Sequence, residues 1–106
     1  MANLRLTFTT GVLLQSIAGG YRYGFDIMDV SGLPDGTVYP ALRRLEDAGM
    51  LESQWEPQEE AEAEKRPPRC YYGLTAAGEA MLAEAQARFP ALRWALAGQQ
   101  AQAREV

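Results

Sequence analysis

Apolar residues recur at helical spacing near the start of the chain. Leu4, Phe8 and Val12 lie four positions apart, as do Leu13 and Ile17, which predicts a helix over residues 4–19. A pair of glycines ends this segment. A second, shorter helix is predicted from about Gly24 to Val30, where apolar side chains again fall on one side.

A cluster of turn-forming residues, 31–36, separates the second helix from a third. The third helix is predicted to begin at Asp35 or Thr37 and to end at Ala48, with Asp35 as its N-cap or as an acidic residue in its first turn. Gly49 follows, at the position where a left-handed residue commonly ends a helix. The predicted buried stripe of this helix is Val38, Leu42 and Leu45.

Two strands are predicted next. In residues 51–56, Leu51, Ser53 and Trp55 alternate with more polar side chains, and residues 69–74 are rich in aromatics. Residues 57–68 between them are rich in Glu, Pro and Ala and show no periodicity, so we predict a mobile loop that joins an antiparallel pair. Trp55 and Tyr72 are interpreted as packing residues of this hairpin.

A last helix is predicted to begin after Thr75, which is its expected N-cap. Apolar residues then alternate at spacings of three and four over two heptads, which is typical of helix-on-helix packing. Pro90 either kinks this helix, or one helix ends near Phe89 and another begins with Pro90. Residues 98–106 are predicted to be a flexible tail. The apolar seam consists of Leu82, Ala85, Phe89, Leu92 and Leu96.

Length and residue content limit the possible chemistry. A chain of 106 residues is expected to form one domain. It has no histidine and a single cysteine, which excludes an internal disulfide, the commonest zinc sites and catalytic pairs that use histidine. We therefore predict no metal, no cofactor and no enzymatic activity. Cys70 fits a small apolar filler of a strand better than a redox sensor.

The apolar stretches of the chain are short. None approaches the roughly 18 consecutive apolar residues of a membrane-spanning helix. The first 20 residues imitate a signal peptide only weakly, because polar side chains interrupt the apolar core. We predict a cytoplasmic protein with no membrane partner.

The order of the predicted elements is that of a winged helix-turn-helix. Three helices, a strand, a long loop, a strand and a helix make a mainly α fold with a small β-hairpin, followed by a C-terminal helix. The outer face of the third helix is suited to a DNA major groove, with Thr37 and Tyr39 at its N-terminal end and Arg43 one turn later. The alternative is a solvated face that carries two arginines.

Three segments resemble the PadR family of bacterial transcriptional regulators. They are Gly36 to Leu51 (GTVYPALRRLEDAGML), Tyr23 to Ile27 (YGFDI) and Arg69 to Gly78 (RCYYGLTAAG). They occur in the family's order, and the resemblance covers about residues 6–90. It implies a homodimeric winged-helix repressor that binds double-stranded DNA at a palindromic operator, often near its own promoter, with a small aromatic or drug-like inducer.

On this interpretation the chain divides into a DNA-binding domain, 1–74, a C-terminal dimerisation helix, 75–97, and the flexible tail. The wing loop would be residues 57–68. The short C-terminus is similar to that of the smaller PadR subfamily.

Eight residues are candidate DNA contacts. Tyr39 either donates to a phosphate or caps a surface aromatic cluster, and Tyr23 either touches the DNA backbone or lies in the core. The three basic residues of the wing either contact phosphates or neutralise neighbouring glutamates. The full set is Thr37, Tyr39, Arg43, Arg44, Tyr23, Lys65, Arg66 and Arg69.

The resemblance also suggests roles for the last helix. Its seam, Leu82 to Leu96, would form the dimer interface. Aromatic residues in this segment of related regulators line a pore between subunits, so Phe89 and Trp94 are candidate effector-binding residues. The alternative is plain dimer packing.

The acidic residues are concentrated in the wing loop. With Glu56, Glu59, Glu60, Glu62 and Glu64 set aside, nine acidic residues remain against ten basic ones, so the net charge of −4 does not exclude DNA. Either this run is a solvated loop, or it repels phosphates and masks Lys65 and Arg66. In the second case, deleting residues 58–64 should raise the affinity for random duplex DNA. The family's wing usually carries glycine and basic residues, so this loop is a departure.

Three function classes compete. The leading hypothesis is a DNA-binding repressor. The second is a winged-helix module that has lost DNA binding and holds a protein partner. The third, an enzyme, has no pocket or metal-ligand spacing to support it.

Overall fold

The computed structural model describes residues 5–95, which form six helices and two strands. The mainly helical fold with a small hairpin agrees with the predicted winged helix-turn-helix. The elements are α1 (Phe8–Ala18), α2 (Gly24–Ser31), α3 (Asp35–Asp47), β1 (Leu51–Trp55), α4 (Gln58–Ala63), β2 (Cys70–Leu74), α5 (Ala76–Arg88) and α6 (Leu92–Ala95).

Helix α1 is the central helix of the domain. It begins later than predicted because Thr7 caps it: the Thr7 hydroxyl accepts a hydrogen bond from the Thr10 amide at 3.1 Å. Its apolar side chains are buried around much of its circumference, so α1 supplies the middle of the core. These side chains are Val12, Leu13, Leu14 and Ile17.

Helices α2 and α3 form the helix-turn-helix. Gly32 ends α2 in the left-handed region, with φ of 73°, and its amide donates to the Met28 carbonyl. Pro34 occupies the N-cap of α3, so Asp35 is the first-turn acid and not the cap. Gly49 follows α3 with φ of 81°, as predicted. The stripe of α3 that enters the core is Val38, Ala41, Leu42 and Leu45.

Strands β1 and β2 pair antiparallel, from Leu51 opposite Leu74 to Trp55 opposite Cys70. An isolated bridge between Tyr23 and Tyr71 joins the hairpin to the segment before α2. Tyr72 is half-buried against the core, as expected for a packing residue. The same interpretation is wrong for Trp55, which is 67% exposed.

The wing contains a helix where we predicted a loop without regular structure. Helix α4 occupies the first half of residues 57–68, and its Ala61 side chain is fully buried. The prediction failed because six residues are too few to show an apolar stripe. Composition explains the helix: Gln, Glu and Ala are strong helix formers, Pro57 precedes them, and two acids lie in the first turn.

Thr75 caps α5 as predicted, with its hydroxyl accepting from the Gly78 amide at 3.1 Å. Helix α5 ends at Arg88, so the second of the two alternatives for Pro90 describes the chain. The next helix, however, begins at Leu92 and not at Pro90 itself. The proline follows a helix end and does not bend a continuous helix.

The apolar seam of the last segment packs within the same chain. Leu82, Ala85 and Leu92 are buried in the core, and α5 and α6 contact α1. A Cβ atom at Gly11 would lie 2.9 Å from Cδ2 of Leu92 and 3.2 Å from Cβ of Ala85, so only glycine permits this approach without a shift. These three residues, predicted for the dimer interface, are thus already covered within the chain.

The remaining two residues of the seam are Phe89 and Leu96. Phe89 is half-buried and meets Phe8 edge to face, with ring centroids 6.0 Å apart. Leu96 and the predicted tail, 98–106, lie outside the described residues. The dimer interface stays a prediction.

None of the helices between residues 5 and 95 has the length and apolar character needed to cross a bilayer. The same range contains no group of three or more His, Cys, Asp or Glu side chains placed to hold a metal ion.

Candidate nucleic-acid interface

The outer face of α3 carries the central candidate contacts. Tyr39, Arg43 and Arg44 are exposed, and Thr37 is half-buried at the N-terminal end of the helix. Arg43 follows Tyr39 by four residues, so both lie on the same side of α3. Among residues 5–95, neither Arg43 nor Arg44 forms an ion pair with a carboxylate. This face therefore offers two guanidinium groups that phosphates or guanine edges can bind bidentately.

Tyr39 is positioned by a close contact with α2. A Cβ atom at Gly24 would lie 2.5 Å from the Tyr39 hydroxyl oxygen and 2.6 Å from Cε1 of its ring. The glycine thus provides the space in which the ring rests. The ring remains 48% exposed, so the same contact fixes Tyr39 and leaves part of it accessible.

An aromatic and cationic cluster connects α2 to the hairpin. The guanidinium carbon of Arg69 lies 4.2 Å from the centroid of the Tyr23 ring, and Tyr23 meets Tyr71 edge to face at 5.6 Å. Burial, together with the nearby Asp26 carboxylate, raises the pKa of Tyr23. Tyr23 is half-buried here and does not lie fully in the core. Its contact with the DNA backbone stays a prediction.

Arg66 is engaged by the acidic residues of the wing. Its Nη1 and Nη2 atoms lie 2.5 and 2.7 Å from the two carboxylate oxygens of Glu56, and Nη2 lies 2.5 Å from Oε2 of Glu64. The side chain is only 19% exposed. Of the two alternatives for this residue, neutralisation of neighbouring glutamates is the arrangement in the structure.

The other two basic residues of the wing, Lys65 and Arg69, have surroundings that differ from those of Arg66. Lys65 is exposed and adopts a left-handed backbone with φ of 57° at the end of α4. Arg69 stacks on Tyr23 and forms no ion pair with a carboxylate among the described residues. Lys65 is accessible for a phosphate contact, whereas Arg69 is half-buried and only partly accessible.

An open groove of about 560 Å³ lies between the helix-turn-helix and the hairpin. It brings together four of the eight candidate DNA contacts, Tyr23, Tyr39, Arg66 and Arg69. The other four, which are Thr37, Arg43, Arg44 and Lys65, lie outside it.

Two residues of this groove were not identified from the sequence. Phe25 and Trp55 both line it, and they are 68% and 67% exposed. Trp55 was expected to pack within the hairpin, and no role was predicted for Phe25. A sequence signal was nevertheless present for Trp55, since the wing that follows it is too polar to cover a large indole ring.

The candidate effector residues lie at the other end of the described chain. Trp94 is 75% exposed on α6, and Phe89 forms the edge-to-face pair with Phe8. These three aromatics belong to the surface made by α1, α5 and α6. None of the three lines the groove.

Comparisons with known proteins identify the fold. A family model described as the transcriptional regulator PadR-like family matches residues 13–84. The chain is similar to the X-ray structure of a PadR-like transcription factor from Bacteroides fragilis, with 28% identity, a TM-score of 0.65, and coverage of 80% of this chain and 82% of that chain. No curated protein matches the sequence.

Two further solved structures share the fold. A Streptococcus transcriptional regulator is 23% identical, with a TM-score of 0.63 over 87% of this chain and 91% of that one. A Streptococcus mutans UA159 protein is 24% identical, with a TM-score of 0.63 over 86% of both chains. Members of the matched family regulate transcription and bind DNA, and they are not enzymes. Because the family model covers more than half of the chain, this protein belongs to the PadR-like family of transcriptional regulators.

Proposed function

We propose that this protein is a cytoplasmic, homodimeric repressor that reads a palindromic operator with α3 and is released from it by a small aromatic ligand. The observation that carries the proposal is the exposed face of α3, on which Arg43 lies one turn after Tyr39. Within residues 5–95, Arg43 forms no ion pair with a carboxylate. A helix of this kind, presented by a helix-turn-helix, fits the major groove.

The exposed residues of α3 would make different contacts with DNA. Arg43 pairs with a guanine edge or a phosphate, and Arg44 adds charge beside it. Tyr39 donates its hydroxyl to a phosphate, while Thr37 lies at the helix N-terminus, where amides and hydroxyls suit an anion. Arg69 and Lys65 extend the positive surface towards the wing.

The dimer would be formed by the surface of α1, α5 and α6. Since Leu82, Ala85 and Leu92 are already buried within the chain, the available apolar surface is Phe8, Phe89 and Trp94. Two copies joined there would present two α3 helices to successive major grooves, about one helical turn apart. A planar ligand stacked on Phe89 and Trp94 between the copies would bias the spacing of the two α3 helices.

The test is selection of bound sequences from a random duplex library with the full chain. The expected result is a palindrome whose half-sites are about one helical turn apart, bound with an affinity that falls steeply with salt. A single unrepeated site would contradict the dimer. No binding even at low salt would overturn the proposal and favour the protein-interaction module.

A further inference from the structure

One carboxylate lies on the same side of α3 as the candidate DNA contacts. Glu46 follows Arg43 by three residues, and Arg43 follows Tyr39 by four, so the three side chains occupy successive turns of one helix face. Glu46 is exposed. An arginine and a glutamate at this spacing attract each other on a helix surface. An ion pair between them would compete with DNA for the Arg43 guanidinium.

The Glu46 carboxylate is engaged by the hairpin instead. The Ser53 hydroxyl donates a hydrogen bond to Oε2 of Glu46 at 2.5 Å. Hydroxyl groups that donate to carboxylates typically lie about 2.5–2.7 Å away, and these hydrogen bonds are stronger than those between neutral groups. Among residues 5–95, Glu46 forms no ion pair with a basic side chain. The carboxylate is therefore bound by β1 and not by Arg43.

The position of Ser53 follows from the geometry of the hairpin. Side chains alternate along a strand, so Ser53 points to the same side of β1 as Leu51, which is buried in the core where β1 contacts α3. Ser53 also lies opposite Tyr72 in the antiparallel pair. Burial, together with the nearby Cys70 and Glu46 side chains, raises the pKa of Tyr72 to about 12. The Glu46 carboxylate thus lies close to this face of the hairpin.

We propose that Ser53 is a positioning residue for DNA recognition: its hydroxyl holds the Glu46 carboxylate on the hairpin, so that the Arg43 guanidinium stays available for DNA. Ser53 acts through Glu46 and makes no contact with DNA. The effect on operator affinity rests on the proposed function. The choice of the Glu46 carboxylate between Ser53 and Arg43 does not, and it can be measured without DNA.

A matched pair of variants tests the hydroxyl. Threonine and valine have nearly the same shape and both suit a strand, but only threonine keeps the hydroxyl. In a ¹⁵N-labelled full chain without DNA, the Nε–H signal of Arg43 is assigned with Arg43→Lys. This signal should shift in Ser53→Val and stay near its wild-type position in Ser53→Thr. The shift should vanish when Ser53→Val is combined with Glu46→Gln, and it should shrink at high salt.

Operator affinity is the second measurement. Ser53→Val should weaken binding roughly two- to fivefold at low salt, because DNA must then displace an exposed ion pair from Arg43. Ser53→Thr should restore the wild-type affinity. In the Glu46→Gln background, Ser53→Val should have no effect. Asp47→Asn is the control, since Asp47 also lies one turn after Arg43 on α3 and the loss caused by Ser53→Val should persist in its presence.

Three results overturn the proposal. The first is a loss of affinity in Ser53→Val that is equally large with Glu46→Gln, since Ser53 then acts by another route. The second is an equal loss in Ser53→Thr, and the third is an Arg43 signal that does not respond to Ser53→Val. Ser53→Ala decides the question if Ser53→Val does not fold.

The failure of the proposed function is distinguishable from the failure of this inference. If the Arg43 signal responds to Ser53→Val but the chain binds no DNA, the proposed function fails and the hold of Ser53 on Glu46 stands. If the chain binds its operator and the Arg43 signal does not respond, the positioning role fails and the proposed function stands.

Discussion

The guanidinium of Arg66 holds the carboxylate of Glu56 at two points, and this pair joins the end of α4 to the residue that follows β1. Glu56 also accepts a hydrogen bond from the Arg69 amide at 3.3 Å, and its side chain is 7% exposed. The wing is thus a folded structure with an internal electrostatic anchor. Its acids stabilise the wing as well as giving it charge.

This anchor should make stability depend on pH. The hydrogen bond from Arg66 lowers the pKa of Glu56 below its ordinary value of 4.5. A lowered folded-state pKa contributes stability that is present above the ordinary value and is lost as the pH falls through the folded-state value. The Tm difference between the wild type and Glu56→Gln should therefore be largest above about pH 5 and should shrink towards about pH 3. A constant difference across this range would contradict the prediction.

Gly78 should be essential for stability. A Cβ atom at this position would overlap the carbonyl oxygen of Met50, which is backbone and cannot rotate away. Gly78→Ala should cost about 2–4 kcal/mol and lower the Tm by more than about 10 °C. The matched control is Gly36→Ala, since nothing lies within 4 Å of a Cβ there. That control should be neutral or stabilising by up to about 1 kcal/mol, and equal losses in thermal unfolding would disprove the argument.

Gly24→Ala should act on DNA through Tyr39. The new methyl group would displace the half-exposed Tyr39 ring, so we expect a loss of operator affinity worth about 1 kcal/mol with the fold retained. A double-mutant cycle with Tyr39→Ala isolates this coupling, because the effect of Gly24→Ala should disappear when the ring is absent. An undiminished effect in the Tyr39→Ala background would show that Gly24 acts by another route.

Arg43 should carry sequence specificity. Arg43→Gln is expected to cost about 1–3 kcal/mol of operator affinity and to relax the preference at one base position of each half-site. Arg88→Gln removes the same charge from α5, where Arg88 pairs with Glu84, and should have a much smaller effect. Binding measured on the operator and on single-base variants distinguishes the two. If both substitutions weakened binding to all DNA sequences by the same factor, Arg43 would contribute only sequence-independent electrostatic attraction.

The acids on α4 should reduce non-specific binding. Deleting residues 58–64 would also remove the buried Ala61, so we prefer Glu59→Gln, Glu60→Gln and Glu62→Gln together, which keep helix-forming residues. Affinity for random duplex should rise roughly two- to tenfold at low salt and converge with the wild type at high salt. Glu79→Gln with Glu84→Gln on α5 is the control. Unchanged affinity at low salt would identify the run as a solvated surface.

The order of the elements could be predicted because periodicity and caps act locally. Thr75, Gly49 and the stripe of α3 each do what their residue types favour. The wing helix was missed because its single buried residue, Ala61, gives no apolar pattern. Its composition, with Pro57 before a run of good helix formers, was the available signal.

The sequence is less informative about which segments pack against each other in the fold. The seam from Leu82 to Leu92 shows that one face is buried, but an apolar period does not say whether a second copy or the same chain covers it. The groove was not predictable either. Its walls are brought together by tertiary contacts, among them the bridge between Tyr23 and Tyr71 and the hydrogen bond from the Arg22 side chain to the Tyr72 carbonyl. No local rule places Phe25 and Trp55 in one groove. The pairing of Arg66 with Glu56 depends likewise on the path of the wing.

The contact between Gly11 and Leu92 has a consequence for how the two ends of the domain communicate. Gln15 adds a hydrogen bond from its Nε2 to the Leu92 carbonyl at 2.6 Å, so α6 is fastened to α1 by both shape and polarity. These contacts couple the position of α6 to that of α1. Chimaeras that exchange C-terminal segments among relatives must therefore transplant positions 11, 15 and 92 as one compatible unit.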